Sequence, residues 1–180
     1  MKKLNSLPLF LKGLVLLPLT IGAASALAAS PMLNEGTQEI GLDGTLDFEY
    51  VDDFLIDING SYGYFIQDNL EVGGVVGFTM SDNVEEYTAG AFAEYNFTTG
   101  TQWVPYVGAA AEYAYASVAN EDESAFNFQV AGGVKYFIHP QVAFNVEVNY
   151  NMATEDIYVN ENLEAQSDET NIIFGTSFYY

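Results

Sequence analysis

The residues that decide the fold are 171–180, which read NIIFGTSFYY. They alternate with a period of two, which predicts a β-strand with one apolar face. One side carries Ile172, Phe174, Thr176, Phe178 and Tyr180, and the other carries Asn171, Ile173, Gly175, Ser177 and Tyr179. An aromatic strand left at a free sheet edge is prone to aggregate, whereas the last strand of a closed barrel pairs with the first. We therefore expect this stretch to close a membrane barrel.

The same alternation recurs upstream and predicts about eight strands. They are expected at residues 39–50, 54–64, 70–80, 87–97, 103–115, 126–137, 142–152 and 171–180. Tight turns near Asp68, Gly100 and His139 alternate with acidic loops near Asp52, Glu85, Asp122 and Glu161. The last of these loops, residues 153–170, is the longest. Short turns at one rim and longer loops at the other are typical of outer-membrane barrels.

The chemistry of the two strand faces predicts the environment of the barrel. One face carries Ile, Leu, Val, Phe, Tyr and Ala, and the other carries Gly, Asn, Thr, Ser, Asp and Glu. The second set cannot form an apolar core but can line a polar lumen. The prediction is an all-β fold, an eight-stranded antiparallel transmembrane up-and-down β-barrel with periplasmic turns and extracellular acidic loops. A secreted soluble barrel of lipocalin type is the alternative.

The first residues have the features of a secretory signal peptide. Lys2 and Lys3 precede the apolar run 13–21, and residues 26–28, Ala-Leu-Ala, form a cleavage site. We expect a signal peptide at 1–28, a short lead-in at 29–38 and the barrel domain at 39–180. An N-terminal membrane anchor is the alternative, but the apolar run is short for a span.

Charge and cysteine content exclude several function classes. The chain has no cysteine, so disulfides and thiolate metal sites are absent, and we expect no cofactor or metal. After residue 28, Lys135 is the only lysine or arginine against 25 acidic residues. Nucleic acid is therefore excluded as a partner. The aromatic content of 15% argues against intrinsic disorder.

Residues 63–73 (GYFIQDNLEVG), residues 104–108 (VPYVG) and the aromatic end together resemble the small outer-membrane β-barrel family, which includes OmpX-type, opacity-type and OmpA-barrel-like proteins. Gly175, Phe178 and Tyr180 are similar to the C-terminal assembly signal of such barrels, although Ile173 departs from it. The resemblance implies a bacterial outer-membrane location. It also implies delivery by periplasmic chaperones and the barrel-assembly machinery.

Aromatic and small residues on the apolar face predict membrane contacts. Tyr64, Trp103 and Tyr136 are expected at the turn rim, and Tyr115 and Tyr150 at the loop rim, as two interface girdles. A patch of alanines could permit close approach of another surface: Ala89, Ala91, Ala93, Ala109 and Ala111. We expect a monomer with ordinary lipid-facing alanines, and a dimer through this patch is the alternative.

Charged residues of the polar face are expected inside the lumen. Lys135 shares that face with Glu71, Glu94, Glu112 and Glu147. Because an isolated buried charge costs several kcal/mol, we expect Lys135 to bridge at least one of these glutamates. A water path along these side chains, and so a narrow cation-preferring pore, is the alternative.

The only histidine, His139, lies beside Pro140 in a predicted periplasmic turn. Some small barrels that resemble this one modify lipid A from the outer leaflet with a His and a Ser, so His139 is at the wrong rim and we expect no enzyme. The acidic loops could bind lipopolysaccharide through divalent cations, or could simply be solvated. The expected function is that of an envelope structural or surface-interaction protein acting through its loops. A narrow channel for small solutes and a lipid A-modifying enzyme are the alternatives.

Overall fold

The computed structural model describes residues 31–50, 53–80, 84–118, 121–159 and 165–180, and they form an all-β protein. The predicted signal peptide lies outside the described residues. The strands are β1 (Gln38–Tyr50), β2 (Asp53–Gln67), β3 (Leu70–Met80), β4 (Val84–Asn96), β5 (Trp103–Val118), β6 (Glu121–His139), β7 (Val142–Ala153), β8 (Tyr158–Val159), β9 (Ala165–Gln166) and β10 (Asp168–Tyr179). The described part of the chain contains no helix with the length and apolar character needed to cross a bilayer.

Eight of these strands close into one barrel, which confirms the predicted fold class. The order around the barrel is β1-β10-β7-β6-β5-β4-β3-β2, and every neighbouring pair is antiparallel. The strand predicted from NIIFGTSFYY pairs with the first strand, from Glu39↔Tyr179 to Asp43↔Gly175. β8 and β9 form a separate two-stranded hairpin in the last loop.

Several strands are longer at the loop rim than the sequence predicts. β4 begins at Val84 and β6 at Glu121, whereas the sequence predicts that they begin at residues 87 and 126. The prediction of loops at Glu85 and Asp122 is therefore wrong, because both residues lie within strands. The expected loop 153–170 likewise contains β8, β9 and the start of β10. Backbone pairing across the ladder does not require an apolar side chain, so acidic residues can extend a strand into water.

The alternating residues face outward and inward as the pattern predicts. The outward face carries exposed apolar side chains such as Val76 and Ile172, each 62% exposed. The inward face carries buried polar side chains, including Glu71, Asn96, Lys135, Asn149 and Ser177. β7 shows the alternation most regularly, with exposed Phe144, Val146, Val148 and Tyr150 between less exposed neighbours. Apolar surface on the outside is unfavourable in water and suited to lipid.

Candidate functional site in the barrel lumen

A buried ion-pair cluster occupies the lumen nearer the turn rim. The Lys135 Nζ lies 2.6 Å from Glu94 Oε1 and 3.0 Å from Glu39 Oε2, and both contacts are hydrogen bonds. Glu71 Oε2 is 3.9 Å from the same ammonium. Lys135 and Glu71 are each 1% exposed. We call Lys135, Glu39, Glu71 and Glu94 the charge cage.

Strand register brings the cage together. Glu71 of β3 lies directly opposite Glu94 of β4, so their side chains enter the lumen side by side. Gly63 of β2 provides the space for Glu71, because a Cβ at that position would overlap the Glu71 carboxylate. Three carboxylates around one ammonium leave an excess of negative charge, which protons or cations from solution must offset.

The other two predicted lumen glutamates have hydrogen-bond partners outside the charge cage. Glu147 accepts a hydrogen bond from the Tyr106 hydroxyl at 2.9 Å, and Glu112 accepts one from Asn127 Nδ2 at 3.3 Å. Both line a cavity of about 120 Å³ that also borders Asp43 and the cage. The cavity has room for several water molecules. The predicted cluster is thus divided between a lysine-centred cage and an acidic cavity.

An apolar cluster fills the lumen at the turn rim, where the sequence predicts a polar lining. Leu33, Phe65, Val104, Phe137, Ala143 and Tyr179 are all buried there. Phe65, Phe137 and Tyr179 follow Gly63, Lys135 and Ser177 at a spacing of two, so strand alternation alone places them inward. The Tyr179 ring joins this cluster to the cage, since Lys135 Nζ lies 5.7 Å from its centroid. The cluster and the cage therefore occupy the lumen in two successive layers.

Glu39 is the cage member that sequence analysis misses. It stands at the start of β1, on the same face as Asp43, and is 6% exposed. Its odd residue number, which puts it on the same side of the strand as Asp43, was the signal that could have placed it in the lumen. The contact between Glu39 and Lys135, across a separation of 96 residues, depends on the stagger between the strands of the closed barrel and was not predictable from a local pattern.

His139 takes no part in the lumen. It ends β6 at the turn rim, is exposed, and its Nδ1 accepts a hydrogen bond from the Gln141 backbone N–H at 3.2 Å. This is the geometry of a turn residue.

The β8–β9 hairpin lies at the loop rim, in the loop between β7 and β10. Thr154 N–H donates to Phe126 O at 2.9 Å, and Ala153 N–H donates to Ser167 O at 2.7 Å, which ties both ends of the last loop to the barrel. Burial raises the pKa of the Tyr158 phenol in this hairpin, and Glu169 and Glu86 act in the same direction. The hairpin therefore lies close to acidic strand ends.

Residues 14–178 match the family described as outer membrane protein beta-barrel domain. The chain belongs to this family. As an outer-membrane β-barrel protein, it is located in the bacterial outer membrane. No curated protein is similar in sequence at a significant level.

Two solved structures show the same fold as this family member. The N-terminal β-barrel domain of Pseudomonas aeruginosa OprF is similar with a TM-score of 0.59 and 19% identity, over 81% of this chain and 98% of that one. The outer membrane protein OprG from Pseudomonas aeruginosa is similar with a TM-score of 0.54 and 13% identity, over 82% and 97% of the two chains. At these identities the likeness concerns the fold alone.

The five aromatic residues that the sequence analysis assigns to the interface girdles lie on the outer surface of this outer-membrane barrel. Tyr64, Trp103, Tyr115 and Tyr150 are exposed, and Tyr136 is half-buried against Trp103, with the ring centroids 4.5 Å apart. Trp103 and Tyr136 are directly opposite in the β5–β6 ladder.

The residues that match the assembly signal lie on β10 and at its end. Gly175 pairs with Asp43, and Phe178 and Tyr180 point outward. Tyr180 exchanges backbone hydrogen bonds with Gln38 at 2.9 and 3.0 Å.

The alanine patch also lies on the outer surface. Ala91 pairs with Ala111 and Ala93 with Ala109 across the β4–β5 ladder, while Ala89 is opposite Tyr113. All five alanines are exposed, so the patch is a shallow strip between larger side chains.

Proposed function

We propose that this barrel is a structural and surface-interaction protein of the outer membrane that acts through its loops and does not conduct through its lumen. The observation that supports the proposal is that two layers of buried side chains occupy the lumen. The charge cage fills one layer with side chains from β1, β3, β4 and β6. The apolar cluster of Phe65, Phe137 and Tyr179 fills the next. An eight-stranded barrel is barely wide enough for its own side chains, so either layer suffices to stop a solute.

Planar-bilayer recording on the refolded mature protein tests this proposal. We expect no steady conductance from the wild type or from Glu147→Gln. A steady cation conductance that Glu147→Gln alters would contradict the closed lumen. Lys135→Glu provides a further check, because an existing cation path should respond to charge reversal at a buried lumen residue.

A narrow cation channel is the second candidate, and one observation favours it. The cavity beyond the cage is lined by Asp43, Glu112 and Glu147, and it would concentrate cations. Conduction would require both the cage and the apolar cluster to rearrange. A cation-selective conductance in the recording would favour the channel. An unselective conductance would not, because leakage through a defect in the bilayer shows no preference for cations.

We infer no enzymatic activity. The single histidine lies at the turn rim, whereas lipid A modification at the outer leaflet would need a base at the loop rim with a nucleophile within hydrogen-bond reach. Mass spectrometry of lipid A from a deletion strain should give the wild-type spectrum. A lost acyl modification, restored by the gene, would overturn this inference.

The proposed surface partner of the loops is lipopolysaccharide bound through divalent cations. Hard cations prefer oxygen ligands, and the acidic residues near the loop rim supply them. Millimolar Ca²⁺ should raise the thermal stability of the protein in lipopolysaccharide-containing vesicles and leave it unchanged in zwitterionic vesicles. Equal stability with and without Ca²⁺ in both would exclude this bridging.

The proposal includes export by a cleaved signal peptide, periplasmic chaperones, the barrel-assembly machinery and a monomeric final state. Ala91 lies at the centre of the alanine patch and faces Ala111 on the next strand. Oxidation of an Ala91→Cys variant should yield no dimer in vesicles. An efficient cross-link would favour the dimer instead.

A further inference from the structure

The seam between the first and last strands is the shortest ladder of the barrel. In the described part of the chain, β1 pairs with β10 from Glu39↔Tyr179 to Asp43↔Gly175, and Gln38 and Tyr180 exchange two further backbone hydrogen bonds beside this ladder. The β4–β5 ladder, in contrast, runs the full length of β4, from Val84↔Val118 to Asn96↔Tyr106. Because the seam has fewer backbone hydrogen bonds than the other ladders, we expect it to open locally at a lower free energy than they do.

The segment before β1 crosses this seam at the turn rim. Met32 N–H donates to Pro140 O at 3.2 Å, in the turn between β6 and β7. Leu33 O accepts from Asn69 N–H at 2.8 Å, in the turn between β2 and β3. In the order β6-β7-β10-β1-β2-β3, those two turns stand on opposite sides of the seam. The segment therefore connects the two halves that the seam joins.

Further hydrogen bonds fix the segment on the β2 side. Gly36 N–H donates to Phe65 O at 2.9 Å, and Phe65 N–H donates to Thr37 O at 2.9 Å. Glu35 N–H donates to Asp68 Oδ1 at 2.9 Å. Gly36 has a φ of +90°, a conformation that glycine adopts at low cost, so the chain can turn under the rim there.

The side chain of Leu33 is buried in an apolar cluster that has members on both sides of the seam. It is 3% exposed and belongs to the apolar cluster that includes Phe65 of β2 on one side and Tyr179 of β10 and Ala143 of β7 on the other. The rings of Phe65 and Tyr179 are 6.4 Å apart, across the seam itself. Leu33 thus adds apolar burial where the ladder supplies few hydrogen bonds.

We propose that residues 31–37 are a latch that holds the β1–β10 seam closed. The latch can dock only when the β2–β3 and β6–β7 turns are both in place, so it forms last in barrel closure. Opening the seam must in turn release Leu33 from the apolar cluster. The proposal is independent of whether the lumen conducts.

Amide hydrogen exchange on refolded protein in vesicles tests the latch. Leu33→Ala removes most of the buried side chain and keeps the backbone. We expect exchange of the seam amides, at residues 39–43 and 175–179, to become faster by about tenfold or more, because local opening sets their exchange rates. Amides of the β4–β5 ladder should keep their wild-type rates.

The matched control is Glu35→Gln, in the same segment but with an exposed side chain. It should leave all rates unchanged. If Leu33→Ala does not refold, Leu33→Val should give the same pattern at smaller amplitude. Unchanged seam exchange would overturn the proposal, and so would a uniform increase around the barrel, which would mean that Leu33 contributes only to global stability.

Discussion

Replacing Lys135 by methionine should destabilise the barrel strongly. The substitution keeps the length and much of the volume of the side chain but removes the ammonium. Glu39, Glu71 and Glu94 then remain buried, with carboxylate oxygens within 4.8 Å of one another and no lysine between them. Because the variant keeps three carboxylates and loses their shared partner, the change is almost entirely electrostatic.

The expected loss in the free energy of unfolding follows from the burial of Lys135 and its glutamate partners. Lys135 is 1% exposed and forms two hydrogen-bonded ion pairs, at 2.6 and 3.0 Å. Removing one partner of a buried pair costs about 3–5 kcal/mol, because the other charge is left uncompensated. Adding Glu94→Gln to Lys135→Met should restore about 1–2 kcal/mol, since residues in direct contact couple by amounts of this order.

Urea unfolding in lipid vesicles, followed by the gel mobility of the folded form, measures these free energies. Gln129→Met is the matched control, because Gln129 also lines the lumen but carries no charge; its cost should be small. The reasoning is refuted if Lys135→Met costs less than about 1 kcal/mol, the value of an exposed pair. It is also refuted if Glu94→Gln makes the methionine variant less stable.

Three further predictions test the packing, the outer face and the rim. Gly63→Ala should lower the free energy of unfolding by about 1–3 kcal/mol, because the added methyl group overpacks against Glu71. Gly60→Ala is the control: its Cβ would lie 4.0 Å from Val76, so it should be nearly neutral in the same unfolding assay. Val76→Lys on the lipid face should lower the free energy of unfolding by about 2–4 kcal/mol, the cost of a lysine near the bilayer midplane. Val75→Lys, on the side of the lumen cavity, should lower it less. Equal losses would contradict the assignment of Val76 to the lipid face and of Val75 to the lumen. Trp103, the only tryptophan, should be quenched more by lipids brominated near the headgroup than by lipids brominated at the chain ends.

The strand pattern made the fold predictable, because a period of two is a local property. In β3 the predicted limits, 70 and 80, are the observed ones, since a tight turn precedes the strand. At the loop rim the limits were wrong, because acidic residues such as Glu121 continue a ladder that only the partner strand determines.

The sequence predicts which residue types line the lumen, but not which of these side chains contact one another. Alternation placed Lys135, Glu71 and Glu94 toward the lumen, yet Glu112 also faces the lumen and bonds instead to Asn127. The height of a side chain in the barrel depends on the stagger between strands, which is a property of the closed ladder rather than of any one strand. The contribution of Leu33 was hidden for a similar reason, because the lead-in has no periodicity and its burial depends on the turns that surround it.

The central claim is that apolar side chains face lipid and polar side chains face the lumen, and a nitroxide scan along β7 tests it most directly. The chain has no cysteine, so single cysteines at residues 144–151 can be labelled without background. In vesicles, the even positions from Phe144 to Tyr150 should collide with oxygen dissolved in the bilayer, and the odd positions from Asn145 to Asn151 should be protected from it. An alternation with the opposite phase, or equal collision rates at both sets, would contradict the account.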